Sequence, residues 1–298
     1  MHERKIIMEL RTLRYFLEIA REENMTRAAE RLHVSQSALS RQVKSLEEEL
    51  GKRLFIRHSF RIELTPEGQL LRNRAEDILQ MVDKTTEEFQ TLTDDLRGDI
   101  FIGCAESEAM KRLADVLVQL NRQHPGIHYH LKSGNTADIA GDLDKGLLDF
   151  AVIANPVDLS KYNFITLPTL DRWGAILPKD HPLAAKTSVS AEDVADEPLI
   201  LSIQGMSDDY PKLFGDLQER LNVVATFNLP YNGAVLVRAG LGIMLSFDNL
   251  IDTSENSDLC FRPLTPRLES EGHIIWKKYQ VFHPVAQALL DLLKETFA

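Results

Sequence analysis

Three short segments with apolar residues at helical spacing follow one another before residue 51, and no other feature restricts the possible fold as strongly. Thr26 is positioned to cap the second helix and Ser35 the third, and Gly51 supplies the left-handed residue that ends the third. The apolar positions, in chain order, are Leu10, Leu13, Phe16, Leu17 and Ala20, then Ala28, Ala29 and Leu32, then Ala38, Leu39, Val43, Leu46 and Leu50. The spacing predicts a compact three-helix unit.

The third helix presents polar and cationic side chains along one face. Gln36, Ser40 and Lys44 are four residues apart, and Ser37 and Arg41 lie beside them. A short helix, a brief turn and a second helix with small polar residues near its start fit the major groove of DNA, where amides and hydroxyls meet base edges. The acidic end of the helix would repel DNA, which favours contact through its first turns. The alternative is an ordinary amphipathic helix with a solvated face.

The next segment, RLFIRHSFRIEL, alternates apolar and polar residues as a β-hairpin does. Its apolar positions are Leu54, Ile56, Ile62 and Leu64, and its cationic positions are Arg53, Arg57 and Arg61. We expect a cationic wing over the phosphate backbone. Thr65 and Pro66 then predict the start of another helix.

Charge is unevenly distributed along the chain, whose formal net charge is -11. Residues 8–74 carry 13 Lys and Arg against 10 Asp and Glu, a net charge of +3. Residues 98–298 carry 17 against 27, a net charge of -10. This asymmetry suits a nucleic-acid-binding end joined to an acidic body.

The run from Leu10 to Leu71 closely resembles the winged helix-turn-helix of LysR-type transcriptional regulators, and the later chain is similar in layout. The resemblance implies that Gln36, Ser37 and Ser40 face bases. It also implies that the phosphates are contacted by Thr26, Arg41, Lys44, Arg57 and Arg61. One departure is Ser37, where the family commonly has proline after Ser-Gln. The resemblance places the DNA-binding domain at 8–65, with 1–7 as an extension outside the fold.

A heptad seam follows in the predicted linker helix, residues 66–97. Its positions are Leu71, Ala75, Ile78, Val82, Thr85, Phe89, Leu92 and Leu96. A helix from Pro66 to Leu96 would be about 45 Å long at about 1.5 Å per residue. We expect dimerisation through this helix, which makes the DNA target a pseudo-palindrome; the alternative is packing against its own winged domain. The resemblance also implies dimers here and favours a homotetramer.

Residues 98–298 alternate short apolar runs with helical segments, which predicts parallel α/β layering. The expected strands are 99–105, 127–133, 149–155, 198–203 and 240–247. The expected helices are 110–123, 137–146, 210–221, 232–240 and 284–297. Two crossing segments, near 165–177 and 259–268, would divide this effector-binding domain into lobe I (98–167 and 268–298) and lobe II (168–267). The overall prediction is an α/β chain with a winged helix-turn-helix, a long linker helix and a two-lobed effector domain.

The family's effector domain resembles periplasmic binding proteins, which implies a small-molecule site between the lobes, at strand ends and helix starts. Carried over segment by segment, the expected ligand-binding positions are Ala105, Ser107, Glu108, Asn135, Thr136, Ala154, Ser202 and Asn232. The alternative for each is plain helix capping. Glu106 and Glu108 are expected to point to solvent; if either lined the cleft, a dianionic effector would be disfavoured.

Other function classes find little support. The sequence AGLGIM lacks the third glycine of a dinucleotide fingerprint, and Gly240 there is interpreted as a helix C-cap. No Walker A run, nucleophile elbow or HExxH pair is present, so we expect no catalysis, cofactor or metal. A solute-binding protein without DNA function is the alternative, but it would need an export signal, and none is visible. The best-supported hypothesis is a cytoplasmic, effector-controlled bacterial regulator of LysR type.

Overall fold

The computed structural model describes residues 8–58, 61–90, 96–154, 158–206 and 209–297. The chain divides into two compact units, Met1–Gln90 and Thr91–Ala298. The predicted extension 1–7 and the seam residue Leu92 lie outside the described residues. Among the described helices, none combines the length and the apolar character that crossing a lipid bilayer requires.

The first unit is a three-helix core completed by a hairpin and a fourth helix. Its elements are α1 (Leu10–Glu22), α2 (Met25–Arg31), α3 (Gln36–Leu50), β1 (Phe55–Arg57), β2 (Ile62–Leu64) and α4 (Pro66–Gln90). Leu13, Phe16, Leu39, Val43 and Leu46 are buried together, which confirms the central part of the predicted apolar stripes.

The cap predicted for α3 is the one observed, and the cap predicted for α2 is not. Ser35 Oγ accepts the N–H of Ala38 at 3.2 Å, and Gly51 ends α3 with φ of 65°, as predicted. The predicted cap at Thr26 is wrong. Asn24 has the extended backbone of a cap, and its Oδ1 accepts the N–H groups of Thr26 at 3.0 Å and Arg27 at 3.1 Å. Thr26 is already inside the helix, with an exposed side chain.

The hairpin is antiparallel, with Phe55 opposite Leu64 and Arg57 opposite Ile62. Phe55, not Ile56, faces the core: the ring centroids of Phe55 and Phe16 are 5.2 Å apart, whereas Ile56 is 46% exposed. Because alternate residues of a strand point to opposite faces, Phe16 fixes which face of β1 turns inward.

The predicted seam on α4 is used partly within its own unit. Ala75 is buried and Leu71 and Ile78 pack against the winged core, as in the alternative interpretation of this helix. Further along, Phe89 is 73% exposed. Thr65 starts the helix as predicted, because its Oγ1 accepts the N–H of Gly68 at 2.9 Å.

The second unit is built on a continuous mixed sheet in the order β4-β3-β5-β11-β6-β9-β7-β8, with β10 also paired to β6. Its strands are β3 (Gly98–Cys104), β4 (Ile127–Ser133), β5 (Phe150–Ile153), β6 (Tyr162–Pro178), β7 (Pro198–Ser202), β8 (Asn222–Phe227), β9 (Ile243–Phe247), β10 (Leu259–Pro263) and β11 (Glu269–Lys277). The expectation of parallel layering holds for β4-β3-β5 and for β9-β7-β8. β6, β10 and β11 were not among the expected strands, and they pair antiparallel.

Strand β6 explains the departure, because one strand belongs to both lobes. Its first part pairs with β11 and its second part, from Trp173, pairs with β9 and β10. We call lobe I the part around β3, β4 and β5, and lobe II the part around β7, β8 and β9. Each lobe therefore has its own apolar core on a shared strand.

The helices of this unit are α5 (Ala109–Gln123), α6 (Thr136–Asp144), α7 (Ala191–Ala195), α8 (Asp209–Phe214), α9 (Pro230–Arg238) and α10 (Pro284–Phe297). α10 contributes Leu289 and Leu293 to the core of lobe I. The predicted helix 210–221 stops early: Gly215 has φ of +49°, and a 3-10 helix follows. Gly240, with φ of +79°, follows α9, so β9 begins only at Ile243.

Candidate DNA interface and ligand cleft

The polar face of α3 points away from its own unit. Gln36, Ser37, Arg41 and Lys44 are exposed and Ser40 is half-buried, whereas Leu39, Val43 and Leu46 on the opposite face are buried. The 3.6-residue period separates the two sets because core packing occupies only one side of the helix. The predicted base-reading side chains are therefore accessible within this unit.

The hairpin contacts this face through Arg57. Its Nη1 donates to Ser40 Oγ at 3.5 Å, a long hydrogen bond that brings two predicted DNA contacts together. Lys44 Nζ is 3.5 Å from Glu48, one helical turn away. Both pairs are exposed, so a phosphate can take the place of Ser40 Oγ on Arg57 or of Glu48 on Lys44 at small cost.

Arg61 is in a different environment. Its guanidinium lies 2.9 Å from Glu23 Oε2 and 3.6 Å from Glu63 Oε1. Two carboxylates offset its charge, which makes it a weaker attractor of phosphate than Arg57. The sequence offered Glu63 two residues away as a signal; the approach of Glu23 depends on the tertiary fold.

In the second unit, a cavity of about 40 Å³ lies between the lobes, at the carboxyl ends of the strands. It is lined by Ala105, Glu106, Gly134, Trp173, Ser202, Gln204, Phe227, Asn228, Pro230, Ser246, Phe247 and Leu250. Two predicted positions, Ala105 and Ser202, are in this lining. Glu106 also lines the cavity while remaining exposed to solvent, as expected, and partial burial raises the pKa of its carboxyl group.

Ser107 and Glu108 form the start of α5 and do not line the cavity. Ser107 is 5% exposed, and its Oγ donates to Asp171 Oδ2 at 2.5 Å and accepts the N–H of Ala109 at 2.9 Å. The N–H of Glu108 donates to Asp171 Oδ1 at 2.8 Å, and its carboxylate pairs with Lys111. Burial raises the pKa of Asp171, and these two hydrogen bonds only partly oppose the rise.

Asn135 and Thr136 form the start of α6. Asn135 Oδ1 caps the helix by accepting the N–H of Asp138 at 2.9 Å. The N–H of Thr136 donates to Oε1 of Gln204, from lobe II, at 3.0 Å, so this bond crosses the cleft. Thr136 Oγ1 is buried and has no hydrogen-bond partner among the described residues.

The last two predicted positions lie away from the cavity lining. Ala154 is buried in the lobe II core, and Asn232 is exposed in the first turn of α9. Gln204 and Asn228 line the cavity and were missed, although each follows a strand end closely, β7 and β8 respectively. Ligands of such sheets bind beyond the carboxyl ends of the strands, and this rule, the strand-end rule, locates the segment. Which residue of the segment faces inward depends on the turn that follows.

A winged helix-turn-helix with an outward-facing third helix, joined to a two-lobed α/β unit with a cleft, defines a DNA-binding regulator with a ligand domain. Residues 10–69 match the bacterial regulatory helix-turn-helix protein, lysR family. Residues 93–298 match the LysR substrate binding domain. The chain belongs to the LysR family of transcriptional regulators.

Relatives extend over nearly the whole chain. The uncharacterized HTH-type transcriptional regulator YnfL of Escherichia coli (strain K12) is 29% identical over 293 residues, covering 94% of this chain and 96% of that protein. AlsR of Bacillus subtilis (strain 168), also an HTH-type transcriptional regulator, is 29% identical and covers 91% of each chain. The crystal structure of full-length CbnR complexed with its target DNA shares the fold with a TM-score of 0.76, at 19% identity over 97% of this chain and 100% of that one.

Proposed function

We propose that this protein is a sequence-specific transcription regulator that binds a pseudo-palindromic duplex site and is controlled by a small molecule in the cleft between its lobes. The observation that carries the DNA-binding part is the exposed polar face of α3 opposite its buried apolar face. The protein would act as a non-enzymatic regulator in the cytoplasm, since its relatives are transcriptional regulators.

The side chains divide into two roles. Base reading would fall to Gln36, Ser37 and Ser40, whose amide and hydroxyl groups can donate to and accept from base edges. Phosphate contact would fall to Thr26, Arg41, Lys44, Arg57 and Arg61. We rank Arg61 last among the cations because Glu23 and Glu63 already offset its charge.

Ser40→Ala and Lys44→Ala separate the two roles. Ser40→Ala should weaken specific binding by about 1–3 kcal/mol and change non-specific binding little. Lys44→Ala should weaken both and reduce the slope of log K against log salt by about one unit. Gel retardation and a salt titration on full-length protein measure these quantities.

Ser45→Ala is the matched control, because Ser45 is exposed on α3 but lies about 140° around the helix from Ser40. It should leave both affinities unchanged. Equal effects of Ser40→Ala and Lys44→Ala on specific and non-specific DNA would contradict the assigned roles.

For the oligomer, we propose that the exposed end of the α4 seam packs against a second copy, and that dimers associate into a homotetramer. Phe89 is a large apolar side chain that its own unit leaves exposed. Phe89→Asp should shift the mass measured by light scattering toward the monomer. An unchanged mass would exclude this seam as the dimer contact.

For the effector, Ala105 and Ser202 are the predicted positions best placed for direct contact, since both line the cavity. Ser107, Glu108, Asn135, Thr136 and Ala154 would act by shaping the cleft, and Asn232 would contribute only if the lobes move. A thermal-shift screen on full-length protein tests ligand binding, because a ligand at 100 times its Kd adds about 2.7 kcal/mol. Ligand binding that leaves DNA affinity and protection pattern unchanged would contradict regulation through this cleft.

A further inference from the structure

The lining of the cavity between the lobes carries a negative charge that no cationic side chain in the described lining offsets. Glu106 is the only ionisable side chain in its lining, which contains no Lys or Arg among the described residues. The described residues make no hydrogen bond or ion pair with the Glu106 carboxylate. A ligand that enters this cavity therefore meets one carboxylate without a counterion.

Three buried aromatic rings share the lining with Glu106: Trp173, Phe227 and Phe247. The ring centroids of Trp173 and Phe247 are 4.4 Å apart. The indole N–H of Trp173 already donates to Ser270 Oγ at 3.2 Å, so Trp173 offers the cavity only carbon surface. Aromatic faces next to a carboxylate attract a cation and disfavour an anion.

The starts of α5 and α6 are already satisfied by the protein's own acceptors, whereas α9, whose Pro230 lines the cavity, has no side-chain cap. Asp171 accepts from Ser107 Oγ and from the N–H of Glu108 at the start of α5. At the start of α6, Asn135 accepts from Asp138 and Gln204 accepts from Thr136. At the start of α5 or α6 a carboxylate or phosphate ligand would have to displace one of these acceptors, and anywhere in the cavity it would face the charge of Glu106.

We propose that the effector carries a cationic nitrogen, a small ammonium compound whose charge is bound by Glu106 against the aromatic wall of Trp173, Phe227 and Phe247. The proposal rests on the cleft being the effector site. The Glu106 side chain is exposed, and partial desolvation of its carboxyl, which already raises its pKa, makes an incoming counterion more favourable there.

Entry of such a ligand requires the cleft to widen. A cavity of about 40 Å³ holds a few water molecules and no metabolite. The hydrogen bond from Thr136 to Gln204 crosses the cleft and would open as the lobes separate.

Matched probes test the charge preference directly. Choline and 3,3-dimethylbutan-1-ol differ mainly in the positive charge, and putrescine, acetate and benzoate extend the series to a diamine and two anions. Titrations of the full-length protein would follow tryptophan fluorescence, since Trp173 lines the cavity. We expect saturable binding of at least one cationic probe, and no comparable binding of the neutral alcohol or the anions.

Glu106→Gln supplies the variant and Glu219→Gln the control, because Glu219 is exposed in lobe II and does not line the cavity. Glu106→Gln should lower the affinity for the cationic probe about tenfold or more, equivalent to about 1.4 kcal/mol, while Glu219→Gln leaves it unchanged. Unaltered thermal melting of both variants would show that they fold normally.

Two results would overturn the proposal: binding of anionic or neutral probes in preference to cations, or equal cation affinity in Glu106→Gln and the wild type. In either case the cleft keeps its role as a ligand site. If no probe of any charge binds, the cationic proposal and the sensing function fail together, whereas the DNA-binding part is judged by the α3 variants.

Discussion

The buried carboxylate of Asp171 offers a test of how β6 is tied to lobe I. Asp171 is 1% exposed and accepts two hydrogen bonds from the start of α5, from Ser107 Oγ and from the N–H of Glu108. In Asp171→Ala both donors lose their acceptor, at about 1–3 kcal/mol each. Removing a poorly solvated charge is itself stabilising and offsets part of this loss. We therefore expect a net loss of about 2–3 kcal/mol in the free energy of unfolding.

Asp171→Asn is the matched variant. The amide keeps the size of the side chain and one acceptor oxygen, and it removes the buried charge, so its expected loss is about 0–1 kcal/mol. Both tryptophans, Trp173 and Trp276, lie in the second unit, so urea unfolding followed by tryptophan fluorescence reports on that unit. A loss in Asp171→Asn equal to that in Asp171→Ala would refute the hydrogen-bond account.

The stability difference between Asp171→Asn and the wild type should depend on pH with a definite sign. Burial raises the pKa of Asp171 in the folded state above its ordinary value, so the folded protein holds this proton more tightly than the unfolded chain. The contribution of the Asp171 carboxyl to the free energy of unfolding is greatest at low pH and is lost as pH rises through the raised pKa. The stability of Asp171→Asn relative to the wild type should therefore rise as pH increases above about 4, the ordinary pKa of an aspartate carboxyl. A difference that stays constant above that pH would show that the pKa of Asp171 is the same in the folded and unfolded states.

Further expectations concern the first unit and its helix starts. In Gly68→Ala the new Cβ would lie 2.1 Å from the carbonyl oxygen of Leu54, so α4 must shift from the hairpin at a cost of about 1–3 kcal/mol; peptide-resolved hydrogen exchange over residues 54–75 should increase. Gly141→Ala on α6, where the added Cβ meets no atom within 4 Å, is the control and should be neutral or stabilising by up to about 1 kcal/mol. Asn24→Ala should destabilise α2 by about 1 kcal/mol, visible as faster exchange of its amides, whereas Thr26→Ala should change it little; the reverse order would restore Thr26 as the cap.

Local chemistry made parts of this fold predictable. Ser35, Gly51 and Thr65 each act on residues within four positions, so the sequence around them was sufficient to place the ends of α3 and the start of α4. The cap of α2 shows the limit of this reasoning. Asn24 and Thr26 are both good capping residues, and the choice between them depends on where α1 ends, at the left-handed Glu23.

Contacts between distant residues decided what the sequence left open. Ile56 and Phe55 are both apolar, and the contact of Phe55 with Phe16 selected the inward face of β1. In the cleft, the strand-end rule led to Ser202 but not to Gln204, because the turn after β7 directs Gln204 toward Thr136 in the other lobe. Ser107 was a reasonable ligand candidate by position, yet Asp171, 64 residues later, turns it into part of a helix cap.

The division of charge between the two units ties both proposals to one physical cause. Residues 98–298 carry a formal charge of -10, which repels the phosphate backbone and would confine duplex contact to the winged unit. The same field draws small cations toward a cleft where Glu106 is the one ionisable lining residue in the described part of the chain. Salt should therefore weaken DNA binding and cationic-probe binding together, since in both cases a cation on one partner meets an anion on the other. An anionic effector would have to approach against this field, and added salt would then strengthen its binding.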